Sequence, residues 1–232
     1  MALLRGDSLG RPLHSFRSDI LTLVDAEWPL RLVELWCELR PRVVVLPGGR
    51  TPRHIYPVLL KARDRLALDS TEFFFSDERC VPPSHRASNF GAAYRAFFGR
   101  LLATVHRFSS ERCAGEAYEA ALRRRQIDLA LLGIGEDGHT ASLFPGSEAC
   151  RATDPEAPLV LSVSGPDWPR LTLTPAALNS ASVVVFLASG SKKARVVQGL
   201  ARRDPSLVAS AIVGKKFTYI LCDPAAGSDI GS

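Results

Sequence analysis

Three features of this 232-residue sequence predict an α/β fold: a doubly wound, mainly parallel sheet with helices on both faces. Short β-branched or aromatic runs recur along the chain. Segments with apolar residues at helical spacing separate most of them, and several of these segments open on residues suited to a helix start.

Residues 43–46, 72–76, 127–133, 182–188 and 217–222 are read as strands. Residues 29–39 carry apolar side chains at helical spacing. Thr51 is placed to cap a helix whose first residue is Pro52, with Pro57 an early kink point, and Ser88 and Ser110 are placed to cap the next two helices. Runs 159–163 and 170–174 follow each other without room for a crossover helix, so an antiparallel pair is expected there. The last ten residues, rich in Gly, Ala, Ser and Asp, read as a frayed tail. The whole chain, 1–232, is expected to be one domain, since no compositional shift marks a linker.

Composition narrows the function classes. With 46% hydrophobic and 23% charged residues the chain is of ordinary globular type. Its apolar runs fall far short of the roughly 20 residues of a membrane span, and its first residues lack a signal-peptide pattern, so a soluble cytoplasmic protein without a membrane partner is expected. The net charge of +5 does not point to nucleic acid, because the 24 arginines are spread out and interleaved with acids. The dense run 123–125 suits the negative end of a helix. Five scattered cysteines with no CxxC pair suggest reduced thiols, and no zinc site or other metal site is expected.

In an open α/β sheet, ligands bind outside the carboxyl ends of the strands. Unusual residues follow four predicted strands. Gly48 and Gly49 lead through Arg50 and Thr51 into Pro52, a turn into a helix amino terminus that favours an anion but lacks the spacing and lysine of a Walker loop. Asp77, Glu78 and Arg79 follow the second strand, with a solvated turn as the competing reading. Residues 133–138 match GxGxxG, yet no helix long enough for a dinucleotide unit follows. The same loop places Asp137 beside His139, and a carboxylate that orients an imidazole is what general-base chemistry needs. The fourth strand ends at Ser189-Gly190-Ser191-Lys192-Lys193, where lysines in a first helical turn call for a compensating anion. Arg170 joins this rim if its strand runs antiparallel.

Together these stretches resemble the 6-phosphogluconolactonase family, whose relatives include the glucosamine-6-phosphate isomerases. The resemblance is carried by residues 48–52, 76–82 with 88–90, 133–146, 170–179 and 190–194. It implies a fold of that type without a cofactor, and a small phosphosugar lactone as the partner of a monomer or weak homo-oligomer. It further implies that His139 is the general base, Asp137 its partner and Asp77 a neighbouring acid, and that Gly48, Gly49, Arg50, Thr51, Arg79, Arg170 and Lys193 hold the phosphate and sugar. Pro47 departs from the small residue common in the family. The expected reaction is metal-free hydrolysis in the pentose phosphate pathway. One rival is an amino-sugar-phosphate isomerase, for which the resemblance implies a glutamate soon after the histidine, where Ser142-Leu143-Phe144-Pro145 stands here. The other is a non-catalytic phosphosugar sensor, which needs no acid/base pair and for which no helix-turn-helix output is evident.

Overall fold

The computed structural model describes residues 20–49 and 51–230, with the backbone alone for Pro52 and Arg53. Among these residues seven parallel strands form one sheet in the order β1 (Ile20–Val24), β10 (Phe217–Cys222), β9 (Val183–Ala188), β6 (Leu129–Gly133), β2 (Val43–Leu46), β3 (Glu72–Phe75) and β5 (Thr104–Val105). From the middle, β2 leads outward to β3 and β5, while β6 leads the other way to β9 and β10. The winding therefore reverses between β2 and β6, where Val44 lies beside Leu129 and Val45 beside Ala130. A crevice is expected at the carboxyl ends of those two strands.

The central strands are apolar in succession rather than alternately, as strands covered on both faces must be. Every residue of β2 and β9 is buried. Seven helices supply the cover: α1 (Trp28–Leu39), α2 (Pro52–Lys61), α3 (Arg63–Leu66), α4 (Asn89–Ala96), α5 (Glu116–Arg123), α6 (Pro175–Asn179) and α7 (Ala194–Ala201), counted among the described residues. In α1 the buried Trp28, Leu32, Leu35 and Trp36 fall on one helical stripe. Pro57 sits on the exposed face of α2, and the helix runs through it to Lys61.

A second sheet of three antiparallel strands is built from β4 (Asp77–Arg79), β8 (Arg170–Leu173) and β7 (Val160–Val163). The expected pair is present, and β4 joins it. Ser76 is the pivot: its N–H donates to Leu46 O at 2.8 Å, and its carbonyl accepts from Leu173 N at 2.8 Å, so the chain passes from one sheet to the other without losing backbone bonds.

Several expectations are corrected. Residues 77–79 form β4 with Asp77 and Glu78 buried, which removes the competing reading of a solvated turn. Thr51 adopts helical backbone angles and makes no capping bond, whereas Ser88 Oγ caps α4 by accepting from Gly91 N at 2.9 Å. Ser110 caps nothing: it lies in a turn closed by the Ser109–Ala114 bridge, and Gly115 precedes α5. Cys80 and Cys113, 33 residues apart, are disulfide-bonded instead of reduced, because β4 ends beside that turn, while Cys37, Cys150 and Cys222 are free. The tail is packed as far as Ile230. Ala226 is fully buried, and the Asp223 carboxylate accepts from Ser189 Oγ at 2.6 Å and from Gly190 N at 3.0 Å. Among the described residues no helix is long and apolar enough to cross a membrane.

Candidate active site

The loops after β2 and β6 meet at the reversal point and enclose a cleft of about 180 Å³. Gly48 and Gly49 form one wall. A side chain at Gly48 would fall on Asn89, and Gly49 has a φ of 89°, so both positions require glycine for separate reasons. Thr51 follows at the rim. Arg50 lies outside the described residues.

The opposite wall is the loop from Gly133 to Gly146. His139 Nδ1 and Asp137 Oδ1 lie 2.6 Å apart, and the backbone N–H of His139 donates to the same oxygen at 3.2 Å. Gly135 makes this turn possible, since a Cβ there would collide with both the imidazole and the carboxylate. Its N–H donates to His139 O at 2.8 Å, and Thr140 Oγ1 donates to Gly133 O at 2.8 Å, so the loop is held from within. With Nδ1–H donating to Asp137, the proton-accepting lone pair of a neutral imidazole lies on Nε2, and His139 lines the cleft. Partial burial by itself would raise the Asp137 carboxyl, but the hydrogen bonds from the His139 side chain and backbone outweigh it and hold the group below the usual carboxylate range. No helix follows this loop until the short 3₁₀ turn at Glu148–Arg151, so the GxGxxG match is not a dinucleotide site.

The floor comes from the small sheet. Asp77, 4% exposed, points its carboxylate at two donors: Ser142 Oγ at 2.5 Å and Asn89 Nδ2 at 3.0 Å. Arg79 and Arg170 are cross-strand partners. Arg79 Nη1 donates to Asn89 Oδ1. Arg170 is 8% exposed, stacks 5.4 Å over the Phe144 ring and lies 3.8 Å from Asp77 Oδ2, and its buried Nε has no partner. Burial first, and then the neighbouring Arg79, lowers the Arg170 guanidinium from its ordinary value against the pull of Asp77, Asp167 and Glu78. Lys193 completes the rim and donates from Nζ to Ile134 O at 2.7 Å. Asp223 already engages Gly190 N, so the anion that the lysine-bearing turn calls for is partly supplied from within the chain.

The cleft thus gathers Asp77, Arg79, His139, Arg170 and Lys193 with the two glycines, and Asp137 stands behind His139. Glu78, the third residue type of that charged triplet, is absent from it. Its buried carboxylate accepts from Asn89 N, Phe90 N, Arg79 N and Ser88 Oγ at 2.7–3.0 Å and seats the start of α4. Burial pushes that carboxyl up against the pull of these four bonds. Asn89 and Ser142 are site residues that the sequence reading does not single out. A polar residue inside the run 141–144 was the available signal for Ser142. Among the described residues no group of three or more His, Cys, Asp or Glu is arranged to hold a metal ion.

The family model described as glucosamine-6-phosphate isomerases/6-phosphogluconolactonase matches residues 32–219. A 6-phosphogluconolactonase of Thermotoga maritima is 36% identical over 188 residues, which span 75% of this chain and 81% of that one. A 6-phosphogluconolactonase of Synechocystis is 33% identical over 180 residues, 70% of this chain and 72% of that one. Among solved structures, a 6-phosphogluconolactonase from Thermotoga maritima superposes with a TM-score of 0.74 at 32% identity, covering 88% of this chain and 99% of the other. On the match across 32–219 and these identities, the chain belongs to the glucosamine-6-phosphate isomerase/6-phosphogluconolactonase family.

Proposed function

We propose that this chain is a 6-phosphogluconolactonase of the pentose phosphate pathway, hydrolysing 6-phospho-D-glucono-1,5-lactone to 6-phosphogluconate. The observation that carries the reading is one cleft holding both the Asp137-oriented His139 and the adjacent guanidinium groups of Arg79 and Arg170.

The phosphate docks against Arg170, Lys193 and the turn 48–51, where Arg50 is also assigned. His139 Nε2 takes a proton from water, whose oxygen bonds to the lactone carbonyl carbon. Arg79 stabilises the oxyanion, an assignment favoured because the amides of Gly135 and Gly138 are spent inside the loop. The bond from that carbon to the ring oxygen then breaks, and the ring oxygen receives the proton from His139. Asp137 holds the imidazole in the accepting tautomer, and Asp77 faces the reacting centre as a neighbouring acid. No group beyond these side chains and water enters the steps.

An isomerase needs a further carboxylate to move a proton between adjacent carbons. Glu148, the next acid after His139, is exposed and outside the cleft lining. One preparation, with chelator present, should release acid rapidly from the phosphorylated lactone and no ammonia from glucosamine 6-phosphate. Ammonia without accelerated lactone opening overturns the assignment. The same reading takes 1–232 as one catalytic domain, a monomer or weak homo-oligomer that binds no nucleic acid and works in the cytoplasm. A cytoplasmic location predicts that Cys80 and Cys113 are found reduced in the cell, since disulfides rarely persist in the cytoplasm, and recovery of the bonded pair from cells counts against it.

A further inference from the structure

The loop after β6 carries Asp137 and His139 near its start and Ser142 near its end, and Ser142 is fully buried. A buried hydroxyl has to find partners. Ser142 finds them on both strands of the small sheet that face the cleft. Its Oγ donates to Asp77 Oδ2 at 2.5 Å and accepts a long bond from Arg170 Nη1 at 3.5 Å, while its N–H donates to Thr172 Oγ1 at 3.1 Å. Asp77 and Thr172 are themselves cross-strand partners. The preceding residue, Ala141, lines the cleft with a φ of 51°, a left-handed conformation that costs a residue with a side chain energy and persists only where its surroundings fix it.

We propose that Ser142 is a positioning residue for lactone hydrolysis. It sets the rotation of the Asp77 carboxylate in the cleft and, through Thr172, fixes the His139 loop against β8, the strand paired with the one that carries Asp77. Asn89 holds the other carboxylate oxygen, so without Ser142 Asp77 keeps its place on β4 and loses its aim. The inference rests on the lactonase reading and on Asp77 acting in that cleft.

A double-mutant cycle of Ser142→Ala with Asp77→Ala tests it, with steady-state kinetics on the phosphorylated lactone and thermal unfolding on each protein. Ser142→Ala should lower kcat about tenfold with KM within about twofold, as misplacement of a reacting-site group does. In the Asp77→Ala background the same change should cost nothing more, and Ser142→Thr, which keeps the hydroxyl, should recover most of kcat. An equal fractional loss in both backgrounds, or a loss that follows the unfolding midpoint rather than the hydroxyl, overturns the proposal. Thr172→Val removes the loop anchor and leaves the Ser142 hydroxyl. It should lower kcat in the same sense by a smaller factor, and unchanged turnover in that variant counts against the proposal even if Ser142→Ala fails to fold. A wild-type protein that does not accelerate lactone opening would sink the lactonase reading, a result separate from an additive cycle in an active enzyme.

Discussion

At the amino-terminal edge of the parallel sheet, Glu72 accepts from Arg125 Nε at 2.7 Å and lies 3.0 Å from His106 Nε2, while Asp128 Oδ2 accepts from the amides of Arg42 and Val43 at 2.8 and 3.0 Å. At the carboxyl-terminal edge, Arg79 and Arg170 stand side by side, and the more buried of them keeps an unpartnered Nε with one carboxylate 3.8 Å away. The same residue types are used at both ends, and the accounts close at one end alone. A buried guanidinium N–H left without a partner lowers the stability of the free protein, and an arriving anion relieves it, so incomplete pairing marks the end that binds. Complete pairing marks the end that holds the strands in register.

The largest break in this comparison comes from the base. His139→Ala should lower kcat by about 10²-fold or more, the low end of what positioned proton transfer contributes, with little change in unfolding temperature because the imidazole is on a surface loop. Stopped assays of acid release alongside a thermal melt are sufficient. Near-wild-type turnover would remove His139 from the chemistry and leave the carboxyl edge a binding surface only.

Next in size is a matched pair of substitutions. Arg170→Met should raise KM for the phosphorylated lactone about tenfold or more, in keeping with the loss of a charge-assisted bond, while leaving the unfolding temperature unchanged or higher because a repulsion is removed. Arg125→Met should do the reverse, leaving kcat and KM alone and costing about 0.5–1 kcal/mol of stability. Equal effects of the two on KM would dissolve the distinction between the edges.

Legibility in the sequence divides along the same line. Strands such as Val43–Leu46 and Val183–Ala188 are unbroken apolar runs, and His139 with Asp137 lies within one turn, so local reading reaches them. Asp77-Glu78-Arg79 reads equally as a site segment or a solvated turn, because much of its burial is supplied by β8, which lies far along the chain. The Ser142–Asp77 bond joins residues 65 apart, and the Cys80–Cys113 bond spans 33 with no spacing signature. The tail escapes local reading for a different reason. Small residues suit disorder and close packing equally, and here Ala226 is buried while Gly227 packs against Val24.

The smallest expected effect concerns Glu72 and pH. Partial burial by itself would raise this carboxyl, but the bonds to Arg125 and His106 outweigh it and hold the group below the ordinary carboxylate range. A carboxyl whose value falls on folding adds stability above the unfolded-chain value of about 4.3 and loses it as the pH drops through the lower folded value. Glu72→Gln should therefore lower the unfolding temperature by about 1–3 °C at neutral pH, with the deficit shrinking toward zero as the solution is acidified past that range. Its side chain is 33% exposed, so added salt should shrink the deficit as well. Lactone turnover should not change at any pH where both proteins are folded. A deficit that persisted undiminished in acid would mean that the lost contribution is packing rather than charge. A fall in kcat/KM would mean that the amino-terminal edge is coupled to the cleft through β3, which runs directly from Glu72 to the pivot before Asp77.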